Sequence, residues 1–422
     1  NDGKNWQKLQ GNFPVVPVSD IKIKQDDLVV GTHGRSFWIL DDLTPLRELA
    51  GQSSGTETDI SGIRFFMPRT TYRRTLNWSV NLFLGDGKNY SPDFGLPGTH
   101  YQETTPDGEK RLRHLDMGEN PPEGVIVNYF IESEANLTPE KPLELIVLDA
   151  NGAEIERFST KKTDEKSDKS ESEESESSDE KPSLTAKVGF NRFVWNMRYP
   201  GPEVKIDKTL EKPGYKQLGR ISPFGGDTSG GPAAPPGNYQ VQLKTGDAEF
   251  IHSFEIIKDP RLNTSPEDFS AQFELWIKIR NRVSDVNSAI NRIRRIKLQI
   301  TELLARENFK NSAEEKSFGE IQKAAEALRE KFNTLENELT QNQYETPSDR
   351  LRHPTMLKQR MEALVSVVAV ADAAPPQQSY SVFEHLSALI DQRLAELSEL
   401  EEQEVVRLNG QIDQAGIRKL QG

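Results

Sequence analysis

A chain of 422 residues has room for roughly two to four domains. Its formal net charge of −13 runs against nucleic-acid binding, and the lack of cysteine rules out disulfides and thiolate zinc sites. Only 34% of the residues are hydrophobic, and no apolar run approaches the ~20 residues of a membrane span, so much of the chain is solvated loop or helix surface.

The chain opens on Asn1-Asp-Gly-Lys-Asn-Trp6, which reads as a tight turn. The amide of Asn1 caps it, Gly3 takes positive φ, and Trp6 covers the following hairpin. Val18 to Lys24 alternates around Ile21 and Ile23, Asp27 to Thr32 is a second short strand, His33-Gly34-Arg35 is a turn, and Ser36 to Leu40 is a third strand. Asn1, Gly3 and Trp6 resemble the end of an Asp-box, the Ser-x-Asp-x-Gly-x-x-Trp hairpin of BNR-repeat propellers, with Asn1 in the Asp position. The run from Asp27 to Leu46 resembles the final blade of bacterial sortilin-like BNR-repeat proteins, many of them labelled glycosyl hydrolases. That resemblance implies that residues 1–50 are the terminal blade of a β-propeller in an extracellular or periplasmic protein. A blade buries its faces on its neighbours, so it also implies an N-terminal propeller that this chain lacks.

Residues 51–123, rich in Gly, Pro, Asn and Thr, read as a connector, with short strands possible at Ile63 to Phe66 and Leu82 to Leu84. Strands are expected from Val125, Pro142, Ile155, Val188, Pro236 and Phe250, over residues 124–258. The large apolar residues Phe193, Trp195 and Tyr239 are its expected core. Asn191-Arg-Phe-Val-Trp195, with Pro-Gly-Asn-Tyr239, resembles the Ig-like sandwiches of flagellar hook-cap proteins and bacterial secretion-tail modules, which are fibronectin III-like. Two loops interrupt it. Residues 161–182 are Lys, Asp, Glu and Ser with no large apolar side chain, which predicts a disordered acidic insertion. Residues 201–236 form a second, Gly/Pro-rich loop.

From 265 to 422 the pattern is helical. Ser265-Pro-Glu-Asp268 is a start signal, and Phe269, Trp276, Val283 and Ile290 then recur every seven residues. Capping boxes at Ser312-x-x-Glu315 and Ser381-x-x-Glu384 predict two further helix starts, with another helix between Pro354 and Ala371. The expectation is an antiparallel helical bundle. The fold class read from the whole chain is therefore multidomain, mainly β plus α: a last propeller blade, an Ig-like β-sandwich and a C-terminal bundle.

The six histidines are dispersed, with no metal-ligand spacing, and no phosphate loop or nucleophile elbow is present. Neither a metal, a cofactor nor a catalytic residue is expected. Asp41-Asp42, after a blade strand, is the most suggestive acidic pair, though a turn or capping role suits it better. His33, Arg35 and Trp38 are the candidate ligand-binding residues, reaching glycan or peptide if they face the propeller axis; otherwise Trp38 packs and Arg35 finds an acid. The reading is a non-catalytic C-terminal region that makes structural contacts with the missing N-terminal propeller. The alternative is part of a glycoside hydrolase whose acids lie in that propeller.

Overall fold

Alternation after Val18 becomes a three-stranded antiparallel sheet of β1 (Val18–Lys24), β2 (Asp27–Thr32) and β3 (Phe37–Leu40), in that order. In this computed structural model the described residues are 4, 6, 13–51, 59–60, 62–74, 87–93, 96–104, 110–115, 122–133, 142–160, 183–210, 231–246, 248–305, 315–343, 349 and 351–415. The chain is of mixed β and α class and divides into two compact units. One comprises Asn1–Arg74, Phe83–Met197 and Pro236–Asp259; the other comprises Thr75–Leu82, Arg198–Pro235 and Pro260–Gly422.

After α1 (Thr44–Gly51) come three short strands, β4 (Asp59–Ile60), β5 (Ile63–Phe65) and β6 (Thr71–Arg73). A separate antiparallel sheet of β7 (Gly87–Asp93), β8 (Leu96–Thr104) and β9 (Lys110–His114) follows. The remaining strands are β10 (Val125–Ile131), β11 (Leu143–Leu148), β12 (Glu154–Ser159), β13 (Gly189–Trp195), β14 (Gly237–Thr245) and β15 (Ala248–Lys258).

Two sheets share the β core. One has the order β13-β10-β5-β4, the other β12-β11-β14-β15-β6. The stretch expected to be a connector thus contributes to both: β5 pairs antiparallel with β10, and β6 pairs parallel with β15. The second short strand expected there, Leu82 to Leu84, lies outside the described residues, as does the acidic insertion 161–182. Buried positions alternate along β13, as a two-residue period demands, whereas β10 and β11 are buried at consecutive positions. Val125, Val127, Tyr129 and Ile131 of β10 and Leu143, Leu145 and Val147 of β11 are all at most 1% exposed. Rings cross between the sheets: Phe158 with Phe193 at 4.6 Å, Trp195 with Tyr239 at 5.9 Å, and Trp195 with Phe254 at 6.2 Å.

The Gly189-Phe-Asn191 motif has a local explanation. Gly189 turns the chain with φ +101°. Asn191, buried on the next inward position, accepts from the Lys187 N–H at 3.0 Å and donates to the carbonyls of Lys187 at 2.7 Å and Gly189 at 3.0 Å. Gly124, which opens β10, has no room for a side chain, since a Cβ there would lie 2.3 Å from the Trp195 carbonyl oxygen.

The second unit is built on α2 (Pro266–Leu304), started by a capping box in which Ser265 and Asp268 bond each other's backbone N–H groups. Its apolar stripe packs against α3 (Glu315–Leu339), α4 (Leu357–Val368) and α5 (Gln377–Glu399), and α6 (Val406–Gln414) follows a π turn over Leu400–Val405. Helix α5 begins four residues before Ser381. Its first turn is entered through Pro376, whose fixed φ suits a helix start, while the Ser381 hydroxyl bonds back to the Gln377 carbonyl at 3.4 Å. Ser312 lies outside the described residues.

The basic run from Arg292 to Lys297 is used in ion pairs. Arg292 pairs with Glu401, while Arg294 and Lys297 both reach the buried Glu336 of α3 at 2.7 Å. The second long loop does not stay with the sheets it connects. Its described residues 201–210 and 231–235 belong to the helical unit together with residues 198–200, and Arg198 bridges to Ala233.

Candidate functional site

A cluster of charged side chains in the β unit lies where the turn between β1 and β2 meets the residues before β6. Gln25 turns the chain at φ +55°, which brings Asp26 and Asp27 together with Arg47 of α1 and Arg69. Asp26 pairs with Arg47, and Asp27 pairs with Arg69 at 2.7 Å. The same Asp27 oxygen accepts the Asp42 N–H at 2.9 Å. Asp42 itself is buried, with φ +62°. One of its oxygens accepts from the Thr44 N–H at 3.1 Å, at the start of α1, and the other from the Asn128 amide of β10 at 3.3 Å. Glu48 accepts the Met67 N–H at 3.1 Å.

Two carboxyls here are pushed above their ordinary range. For Asp41 the main cause is burial, reinforced by the negative charge of Asp27 and opposed by Arg69 and Arg192. For Glu48 it is again burial, opposed by the Met67 N–H and by His252. These shifts favour the protonated acids but do not assemble an acid–base pair, because the neighbouring carboxylates already hold backbone N–H groups and arginines.

Two clefts flank Arg69 and Thr70. One of about 390 Å³ is lined by Asp26, Met67, Arg69, Asn238, Ser253 and Glu255, among others. The other, about 380 Å³, includes Gln25, Asp27, Arg69, Arg74, Glu123 and Met197. Both present charges of each sign at an open surface, suited to a small polar molecule or a loop of a partner rather than an enclosed apolar ligand.

The predicted ligand residues lie at the opposite end of the same sheet, beyond β2. His33 and Arg35 are exposed on the turn. Trp38 is spent on that turn: its indole N–H donates to the Arg35 carbonyl at 3.0 Å, and Phe13 meets its ring edge-on at 5.5 Å. Arg35 approaches the Gly34 carbonyl at 3.4 Å. Of the Asp-box residues, Asn1 and Gly3 lie outside the described residues. Trp6, expected to cover a hairpin, is 86% exposed. Asn191, Phe193, Trp195 and Tyr239 line the shared core of the two sheets. Nothing in the sequence marks Arg69. It sits in Met67-Pro-Arg-Thr70, which has no periodicity, and only the fold brings it to Asp27.

Among the described residues no group of three or more His, Asp or Glu side chains is placed to hold a metal ion, and no helix is long and apolar enough to cross a membrane. Comparison with protein-family models, curated proteins and solved structures yields no match.

Proposed function

We propose that this chain is the non-catalytic C-terminal region of an exported, sortilin-like BNR-repeat propeller protein. In this reading β1 to β3 are a propeller blade, the two stacked sheets are an Ig-like sandwich, and the helices are a bundle. Its role is structural and contact-making, while glycan or peptide binding belongs to the whole protein. The observation that carries the reading is the three-stranded sheet β1-β2-β3, which has apolar side chains open on both faces. Register places Ile21, Val30 and Trp38 on one face with Ile23, Leu28 and Leu40, and Phe37 and Ile39 on the other. Ile21 and Ile23 are 56% and 60% exposed on the first face, and Phe37 and Ile39 are 76% and 59% exposed on the second. An antiparallel sheet that flanks a single core keeps one face polar, whereas a propeller blade is covered on both sides by its neighbours.

The test is to express the chain together with the residues encoded before it and to compare Ile21→Asp and Ile39→Asp in both contexts. Each change should cost little in this chain alone and destabilise the longer protein strongly. Equal, small effects in both would count against the blade. Turnover of aryl glycosides by this chain would contradict the non-catalytic role, and turnover confined to the longer protein would favour a glycoside hydrolase.

A further inference from the structure

Residues 198–207 leave β13 and run along one face of α2 with no helix or strand of their own. Tyr199 meets Phe273 ring to ring at 4.7 Å, and the Arg198 guanidinium lies 5.6 Å from the centre of the Trp276 ring. Arg280 donates to the Pro200 carbonyl at 3.4 Å. About three turns further along the helix, Asn291 brackets Ile206: its amide donates to the Lys205 carbonyl at 2.8 Å and accepts the Asp207 N–H at 2.9 Å. Ile206 packs against the helical core between those bonds. The helix residues concerned, at 273, 276, 280, 287 and 291, fall on one stripe.

Asn287, one turn before Asn291, fills only half of the same role. Its amide donates to the Val204 carbonyl at 2.8 Å, but its Oδ1 is buried without a hydrogen-bond partner. The residue is only 5% exposed. A buried acceptor left empty is unfavourable, so the resident segment is an imperfect fit to the amide pair that reads it. Both asparagines contact main chain rather than side chains, which makes the recognition tolerant of sequence. The remaining contacts select an aromatic residue followed by proline.

We propose that this face of α2 is a groove for non-helical peptides, that residues 198–207 are its built-in occupant, and that they can be displaced. The ligand class is a peptide segment that begins with an aromatic–Pro pair, places an aliphatic side chain where Ile206 sits, and brings an additional N–H to Asn287. Binding is by main-chain bracketing through Asn287 and Asn291. The native segment acts as a strap that keeps the groove closed until a better-matched segment arrives.

The experiment uses the full chain with residues 199–207 replaced by a Gly/Ser segment of equal length, and a fluorescent peptide carrying the sequence of residues 198–210 as probe. The peptide should bind the strap-replaced chain at least about tenfold more tightly than the unaltered chain, because self-occupancy lowers apparent affinity by the fraction of open molecules. Adding Asn291→Leu to the strap-replaced chain should abolish that binding. A strap-replaced chain that keeps its helical circular dichroism and fails to bind, or that binds equally well with Asn291→Leu, overturns the proposal. Amide exchange on the unaltered chain decides the matter even if the replacement does not fold. The Asp207 N–H should exchange on the order of a hundredfold faster than the amides at the centre of α2, as a locally opening segment does. Exchange of Asp207 at the rate of α2 itself would make the strap an integral part of the helical core and refute displacement.

Discussion

The Asn128 amide donates to the Asp42 carboxylate at 3.3 Å, and this bond joins the segment after β3 to the middle of β10. Asp42 holds the Thr44 N–H with its other oxygen, so the acid that looked most available for chemistry is occupied at both ends. Its backbone is also in the left-handed region, at φ +62°. Asp42→Ala should destabilise the β unit by about 1–3 kcal/mol through the unmet Asn128 and Thr44 donors. Asp42→Gly loses the same bonds but relieves the backbone, and should be less damaging than alanine by about 1 kcal/mol. Chemical denaturation followed by tryptophan fluorescence ranks the two; an alanine variant as stable as the parent would remove the clamp from the account.

Asn191 supplies a second, independent clamp. Its three bonds to the backbone of Lys187 and Gly189 fix the entry to β13. Asn191→Ala should cost about 1–3 kcal/mol, since it leaves part-buried backbone groups of Lys187 and Gly189 unpaired. Asn191→Asp keeps the acceptor for the Lys187 N–H but cannot donate to either carbonyl, and should fall no higher than the alanine variant. Trp195→Ala, which removes the ring joining the two sheets, should cost roughly 3–5 kcal/mol. A loss below 1 kcal/mol in a urea titration would place that ring outside the core.

The acidic insertion has a closable base. The Leu184 N–H donates to the Ser159 carbonyl at 3.4 Å, so the two ends of the intervening stretch are already neighbours. Deleting residues 161–182 would leave Ser159, Thr160, Ser183 and Leu184 as four consecutive residues with an i to i+3 hydrogen bond in place, the geometry of a β-turn. Stability should change by no more than about 1 kcal/mol, because loop closure depends only weakly on length. Unfolding of the β unit on this deletion would mean that the insertion contributes contacts.

The helical unit should respond to acid through Glu336. Burial alone would push this carboxyl up, but Lys297 and Arg294 outweigh it and hold the group below its ordinary value. A depressed carboxyl contributes stability at pH above its unfolded value, ordinarily about 4.3 for glutamate, and loses that contribution as pH falls through the folded value. Glu336→Gln should therefore cost about 3–5 kcal/mol at neutral pH by removing the carboxylate that Arg294 and Lys297 share. The gap between parent and variant should narrow as pH drops below the unfolded value. A gap that stays constant from pH 7 to pH 3, measured by thermal melts, would rule out this pair as the source.

Where side-chain pattern and local capping determine structure, the sequence was readable. The stripe through Trp276, Val283 and Ile290 became the buried face of α2, and Ser265 with Asp268 started it. The alternation of Asn191, Phe193 and Trp195 became an inward face. What escaped reading depended on partners far away in the chain. Strands of three residues such as Ile63–Phe65 carry too little pattern to be told from a connector, and β6 is a strand only because β15 lies beside it. The Gly/Pro-rich stretch after β13 reads in sequence as a loop of the sheets. Its attachment to α2 rests on Asn287 and Asn291, polar residues that a helical pattern assigns to the surface. The Arg69–Asp27 contact is of the same kind, since neither residue stands in a motif.

The parallel pairing of Thr71–Arg73 with Ile256–Lys258 also sets a timetable for synthesis. The partner of β6 emerges about 185 positions later, a delay of roughly ten to forty seconds at ~5–20 residues per second. Through most of that interval the five-stranded sheet has neither β14 nor β15, and from its own emergence β13 holds aromatic rings with no opposing Tyr239 or Phe254 until those later strands are made. The nascent chain must carry that apolar surface unprotected on the ribosome, so the yield of folded protein should depend on holding chaperones more than its final stability suggests.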